Sequence, residues 1–560
     1  MLVGYNGMLK ARVSGKMTAR SKRGWGIALE SNAREAMRMT AARTRGPHVL
    51  GVPSLAFVSL GLLAFGVFAL SAYVEGIGMT IIRDPIGWLA DFDHTAEADI
   101  LFSASQVMAG LLAIAITVSA IIVELAANRY NYRITWLFVR EPINIAVMSL
   151  MVVTTLECIW VAVSRETGEV AHVPGFAFGV TLVLVTVCLL VLLPYFAFVF
   201  RFLSPLSIID KIKDAAYRHI ERAQRTPTDA VKRGVQDAID ELQDVARSAT
   251  EQSDRSIAMA CVNALYELLV DYQALRPRLP TEWFAVRGPV AGDPDFVALA
   301  RSVLGEIETQ RAWLEVKVFR QYLALMVQSV PHAREVANLI AIDTGRVGVQ
   351  CGGSDPELLQ LCIRCFNSYL RTAINAADNR TSYYVMNQYW LMADALMRAG
   401  LVRPVLEIAG HFKFYGQLAH QRGQSFLLEV AAGDVTRLVE SSLDSAPKLV
   451  DDLLAVVLDL DQEIRTETQE ESLLGVRRAQ IQLATLFALR GDAARAQRLC
   501  ADLAGERMAR LERIRRELES ESRPHYWEFT DRGVNFGYLP PERREQLAIV
   551  FDWISKRQSR

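Results

Sequence analysis

Seven residues between Ser103 and Glu124 carry the most suggestive chemistry in the chain. Ser103, Gln106, Gly110, Ala113, Thr117, Ala120 and Glu124 follow one another at spacings of three and four. On a helix they form one stripe. The stripe lies inside Leu101–Ala127, an apolar segment long enough to cross a membrane. A polar, small-residue stripe ending in a carboxylate must face protein or water there. Leu111, Ile114, Val118, Ile121 and Ile122 fall outside it and suit lipid or neighbouring helices. The stripe is either the wall of an ion path or a packing seam. Gln106, Thr117 and Glu124 are more polar than packing requires, which tilts the reading to the path.

A second carboxylate, Glu157, lies fourteen residues into a later apolar segment. That is ~20 Å deep at ~1.5 Å per residue. An unpaired charge there costs several kcal/mol. Glu157 is therefore protonated, hydrogen-bonded or facing water. An interhelical bond to Gln106 or Thr117 is the structural reading, and an ion or proton pathway is the functional one. Glu124 sits nearer the aqueous boundary, within reach of Arg129 or Arg133. Arg129, Tyr130, Arg133, Trp136 and Arg140 form a basic, aromatic collar after the stripe. That composition suits lipid headgroups, or an elbow helix lying on the membrane surface.

Other chemistry is scarce. Asp91, Asp93, His94, Glu97 and Asp99 could hold a cation, but no second half of a site accompanies them, and a solvated acidic loop fits as well. Such a loop would also concentrate cations at a path mouth. Cys362 and Cys365 form a CxxC inside an apolar helical run, with Cys351 upstream and no nearby histidine. They read as core thiols. His411, His420 and His525 are isolated. No Walker loop, strand-linked GxGxxG, HExxH or GxSxG is present. The expectation is a protein that is not an enzyme, with no cofactor and no catalytic or metal site. An aromatic stretch, Pro524–Phe529 and then Gly533–Gly537, reads as a docking patch against its own domain.

Four apolar segments must position the stripe: about 53–74, 101–127, 143–163 and 176–200. Each reaches the ~20 residues needed to span ~30 Å of hydrocarbon. The tail 1–48 carries ten Lys or Arg against two Glu. It therefore faces the cytosol and can adhere to anionic headgroups. The first loop is acidic, the second is basic and the third is short, so four spans with both termini cytosolic satisfy the charge rule at every turn. The net charge of −1 implies no nucleic-acid partner, and the seven scattered cysteines suit a reducing compartment.

The run Val123-Glu124-Leu125-Ala126-Ala127, followed by Tyr130, Arg133, Phe138, Arg140 and Glu141, resembles a bacterial membrane family known as domain of unknown function 2254. The resemblance continues through PYFAFVFRFLSPLSIIDKI and residues 242–265, covering about 50–270. Glu124 stands where that pattern has glutamine, and Tyr132 where it has proline. Asp254-Arg-Ser departs from its Asn-Asp-Pro. The resemblance implies a multi-span protein of the bacterial inner membrane and no established reaction.

After Arg201 the chain reads as helical throughout. Amphipathic helices are expected at 207–223, 230–248 and 256–275, and a long one over 294–330. Breaks fall at 276–280 and 287–294. Glycines at 400, 433 and 491 read as helix ends, and the 33 residues between the first two approach a tetratricopeptide repeat. The domains expected are the tail 1–48, a four-helix membrane domain 49–205, a membrane-proximal helical domain 206–350 and a helical-hairpin domain 351–560. The whole is all-α, with a solenoid-like end. Two functions follow: a homo-oligomeric channel or transporter-like assembly, or a membrane-anchored scaffold whose hairpins bind a protein partner.

Overall fold

A computed structural model describes residues 97–129, 141–163, 175–202, 205–460, 473–526 and 532–559. Among them there is no strand. The chain divides into two compact units, one ending at Phe202 and the other running from Leu203 to Arg560 together with Val123–Thr135.

The first unit holds α1 (Glu97–Arg129) as far as Ile122, together with α2 (Pro142–Val163) and α3 (Gly175–Phe202). Three stretches in them are long and apolar enough to cross a membrane: Asp99–Ile121, Pro142–Val161 and Ala177–Val199. They correspond to the second, third and fourth expected spans. The first, 53–74, lies outside the described residues, as do the tail and the acidic loop before Glu97.

The second unit contains α4 (Pro205–Ala223), α5 (Asp229–Glu251), α6 (Arg255–Leu275), α7 (Arg301–Thr309), α8 (Trp313–His332), α9 (Arg334–Cys351), α10 (Pro356–Asn375), α11 (Asn379–Arg398), α12 (Val402–Gln421), α13 (Ser425–Ser445), α14 (Val450–Leu458), α15 (Leu474–Leu489), α16 (Ala493–Leu503), α17 (Met508–Ser520) and α18 (Leu547–Gln558). One core runs from Ile208 to Ile554, continuing through residue 350.

The expected helix 294–330 is broken into a single turn at Pro294–Val297, then α7 and α8. Arg311 between them takes a left-handed φ of +56°. The breaks at 276–280 and 287–294 are present, and the 3-10 turn Thr281–Phe284 between them carries Trp283 and Phe284 into the core. The Trp313 indole donates to the Trp283 carbonyl at 2.9 Å.

From α9 onward the helices alternate between two layers. In one layer α9, α11, α13 and α15 pack side by side, and α8, α10, α12 and α14 form the other. The turns between them share one construction. Ala377, Gly400 and Gly423 take positive φ at intervals of 23 residues. The residue after each bonds back into the finished helix: Asp378 N–H to Ala373, Leu401 to Leu396, Gln424 to Ala419. Asp378 then caps the next helix, accepting from Thr381 N–H at 3.1 Å. Asp254 and Asp492 do the same for α6 and α16.

Side chains tie successive pairs across matching separations. Gln360 donates to Glu407 over 47 residues, and Ser441 to Asp394 over 47. Two 23-residue steps between turns make a helix pair of about 46 residues, and the 33-residue spacing is not a repeat. Gly433 does not end a helix. It lies inside α13, where a Cβ would come 2.5 Å from the Phe536 ring.

Candidate membrane path and polar clusters

The three membrane helices meet at three levels. Leu101, Val161 and Phe178 cluster at one end. In the middle, the Thr154 hydroxyl and the Cys188 thiol lie 3.3 Å apart, both fully buried. At the other end the Tyr195 hydroxyl donates to Asn144 Oδ1 at 2.7 Å. Ser119 lies 2.9 Å from that hydroxyl and donates to it. The start of α2 is thereby fastened to the ends of α1 and α3, which fits three alternating spans. Pro194, just before Tyr195, removes one backbone donor from α3.

The packing line of α1 is Leu101, Ser105, Met108, Ala115 and Ser119, all buried. The expected stripe is a different line. Ser103, Gln106, Gly110, Ala113, Thr117, Ala120 and Glu124 share a face, and all seven are exposed among the described residues. Ile114 and Ile121, outside the stripe, are exposed too.

Glu157 is half-buried beside Thr154 and Cys158 on the packing side of α2. The expected bond to Thr117 does not form, because the Thr117 hydroxyl donates to the Ala113 carbonyl of its own helix at 2.7 Å. Gln106 is exposed and not bonded to Glu157 either. Of the collar, Arg129 ends α1, while Tyr130, Arg133, Trp136 and Arg140 lie outside the described residues.

The helical domain buries charge that the sequence reading passed over. Lys317, on α8, is enclosed by Asp240 at 2.5 Å, Asp293 at 2.8 Å and Asp295 at 2.9 Å. Burial pulls the Lys317 ammonium down, but these carboxylates outweigh it and hold it above its ordinary value. Burial pushes Asp240 up to about 6 against the pull of Lys317. Gln236 and Gln321 donate to the same carboxylates. A second cluster sets Arg276 3.3 Å from the fully buried Glu315 and in contact with Asp355, the cap of α10. Burial raises Glu315, with Arg276 opposing it. Both clusters bind separate helices into one unit. The signal for the first was a lysine in the apolar run of α8 with an Asp-Pro-Asp just upstream.

The remaining expected residues are structural. Cys362 and Cys365 are buried in α10, and all seven cysteines are free. The His411 ring lies 3.0 Å from the Tyr389 hydroxyl, which itself donates to Asn367 Oδ1 at 3.4 Å, and burial lowers the His411 pKa. The aromatic stretch docks on its own domain. Arg532 grips Asp434 through both oxygens at 2.8 and 2.9 Å, and both side chains are fully buried. Gln482 donates to the carbonyls of Phe536 and Tyr538.

The apolar spans and the helical unit after them define a multi-span helical membrane protein. Residues 49–275 match the model of a family described as "Predicted membrane protein (DUF2254)", the family the sequence resembles. The match ends where α6 ends. No curated protein and no solved structure matches the chain.

Proposed function

We propose that the protein is a non-enzymatic, homo-oligomeric ion channel or transporter-like assembly of the bacterial inner membrane. The apolar segment 53–74 supplies a fourth span, α1 lines the path, and the helical domain regulates from the cytosol, where both termini lie. The tail and the collar rest on anionic headgroups. One observation carries this reading: α1 packs on its neighbours through Leu101, Ser105, Met108, Ala115 and Ser119, leaving the Gln106–Thr117–Glu124 line facing outward. Polar groups at membrane depth require protein or water beside them, and further copies arranged in a closed ring supply both.

The test is conductance of the purified, reconstituted protein, with stoichiometry measured on the same sample. Glu124→Gln is expected to change ion selectivity or unitary conductance. A protein that conducts no better than empty bilayers, and that is monomeric, sinks the proposal.

A scaffold reading is favoured by a different observation. In one layer α11, α13 and α15 hold an irregular segment of the chain's own C-terminal part through Tyr383, Asp434 and Gln482, so the layer is suited to holding peptide.

A further inference from the structure

We propose that the helical domain binds a small, uncharged apolar molecule of about six to nine carbon atoms in the cavity between α7, α8 and α10. This goes beyond the membrane reading and stands whether or not the spans conduct. The cavity also lies outside residues 49–275, the part that matches the family. Each of the three helices turns one face to it. α7 contributes Val303 and Ile307, and α8 contributes Val316, Phe319 and Leu323. α10 contributes Leu361 and Cys365. Within each helix these residues are three or four apart, the spacing of a single face. Such faces ordinarily interlock until few gaps larger than a water are left. Here they stop short, around a volume of about 200 Å³. Ile307 is the one side chain that α7 buries, so this helix is the lightly anchored wall.

Size and charge select the occupant. A volume of about 200 Å³ is near the ~150 Å³ of an apolar cavity that takes benzene, and below the ~300–1,000 Å³ of drug-sized sites. It holds one side chain of a partner protein at most, too little for a stable interface. The floor is apolar, with Ile307, Phe319 and Cys365 buried. Charged groups stand at the rim, where Glu306, Glu357 and Arg364 are exposed. They are already engaged. Gln310 donates to Glu306 at 3.1 Å and to Glu357 at 2.9 Å, tying α7 to α10. Arg364 lies 3.9 Å from Glu306, and Arg320 lies 3.5 Å from Asp295. Gln360 donates to Glu407 at 2.8 Å. Two arginines and two glutamates leave the lining without net charge. A charged ligand would give up its water for a floor with no counter-ion, whereas an apolar one loses nothing by entering.

The experiment is photolabelling of the full-length protein in detergent micelles with phenyl(trifluoromethyl)diazirine, an uncharged apolar probe of this size. Adducts are mapped by peptide mass spectrometry. Those on α7, α8 and α10 are expected to saturate with probe concentration, while those on the detergent-covered spans rise in proportion to it. The para-carboxylate of the same probe should leave the cavity unlabelled. Val303→Trp, at a position 39% exposed, fills the cavity from its α7 side and should abolish the cavity adducts. Val297→Trp, at a position 66% exposed and outside the lining, should leave them unchanged. Toluene at about ten times its dissociation constant should slow amide exchange across Arg301–Thr309 about tenfold. The proposal is overturned if the cavity adducts do not saturate, which would leave the cavity to a partner's side chain. It is equally overturned if the carboxylate labels the cavity as well, or if Val303→Trp labels like the unaltered protein. Saturation and the carboxylate comparison need no substitution, so they decide the matter even where Val303→Trp does not fold.

Discussion

Replacing Arg532 with alanine tests how the C-terminal strap, residues 532–539, is held to the helical layers. The Arg532 side chain is enclosed completely, with Nη1 donating to both Asp434 oxygens and the Tyr383 carbonyl accepting from Nε at 3.2 Å and from Nη2 at 2.5 Å. Removing one member of a buried pair costs about 3–5 kcal/mol, because the other charge is stranded. Loss of the contact with the Tyr383 ring adds ~0.5–2 kcal/mol. Arg437 offsets part of this, being 3.4 Å from Asp434 on the same helix. Water entering the vacated space offsets more. A net of about 3 kcal/mol is expected, or roughly a hundredfold in the opening equilibrium of the strap.

Amide hydrogen exchange of residues 532–539 in the full-length protein reads that opening directly. Exchange there should accelerate about a hundredfold, while α4 to α6 keep their protection. Adding Asp434→Ala should restore part of the loss, since no carboxylate is then left stranded. The reasoning fails if Arg532→Ala exchanges within threefold of the unaltered protein. It fails too if the two substitutions simply add.

Three further outcomes follow from particular side chains. Asp343 is fully buried, with one carboxylate oxygen lacking a hydrogen-bond partner, and burial lifts its pKa to about 7 despite Arg346 at 3.1 Å. The folded chain therefore holds a proton that the unfolded chain has released, so this group's contribution falls as pH rises from about 4 through about 7. Asp343→Asn should flatten that slope and raise stability at pH 8 by on the order of 2 kcal/mol, with little change at pH 5, measured by thermal unfolding. Ala377 holds φ at +53° in a turn where Gly400 and Gly423 stand in its successors. Ala377→Gly should stabilise by about 0.5–1 kcal/mol and Gly400→Ala should destabilise by a similar amount, both read from the unfolding midpoint. Tyr195→Phe removes the donor to Asn144 and the acceptor of Ser119. It should cost ~0.6–2 kcal/mol in resistance of the membrane unit to denaturing detergent, and an unchanged midpoint would contradict the bridging role of that hydroxyl.

The helices were legible because their signals are local. Periodicity placed α4, α5 and α6 within a few residues, and Gly400 and Gly491 mark true helix ends because left-handed backbone suits glycine. Gly433 misled for a physical reason: the same missing side chain serves close approach, here of Phe536, as readily as a turn. Ala377 was invisible as a turn, since nothing in an alanine announces positive φ. The length of each pair, about 46 residues, follows from helices of some 20 residues rather than the shorter ones of the expected repeat. The buried charge clusters were illegible because they are assembled from distant segments. Lys317 meets Asp240 across 77 residues, and no local pattern pairs them.

The membrane stripe shows the limit of periodicity most clearly. A helical pattern gives an angle about the axis but not the neighbour found at that angle. On α1 two polar lines run side by side, Ser105 and Ser119 on one, Ser103, Gln106, Thr117 and Glu124 on the other. The line that packs is the one with short hydroxyls, because Ser119 can reach Tyr195 while the helices stay close. Gln106 and Glu124 are too long and too polar for that role, and the bundle leaves them outward. Their amide and carboxylate still need hydrogen bonds at or near membrane depth. The face that sequence alone marked as either seam or wall is therefore not the seam of the three described spans, and its polar groups are available to water or to another surface.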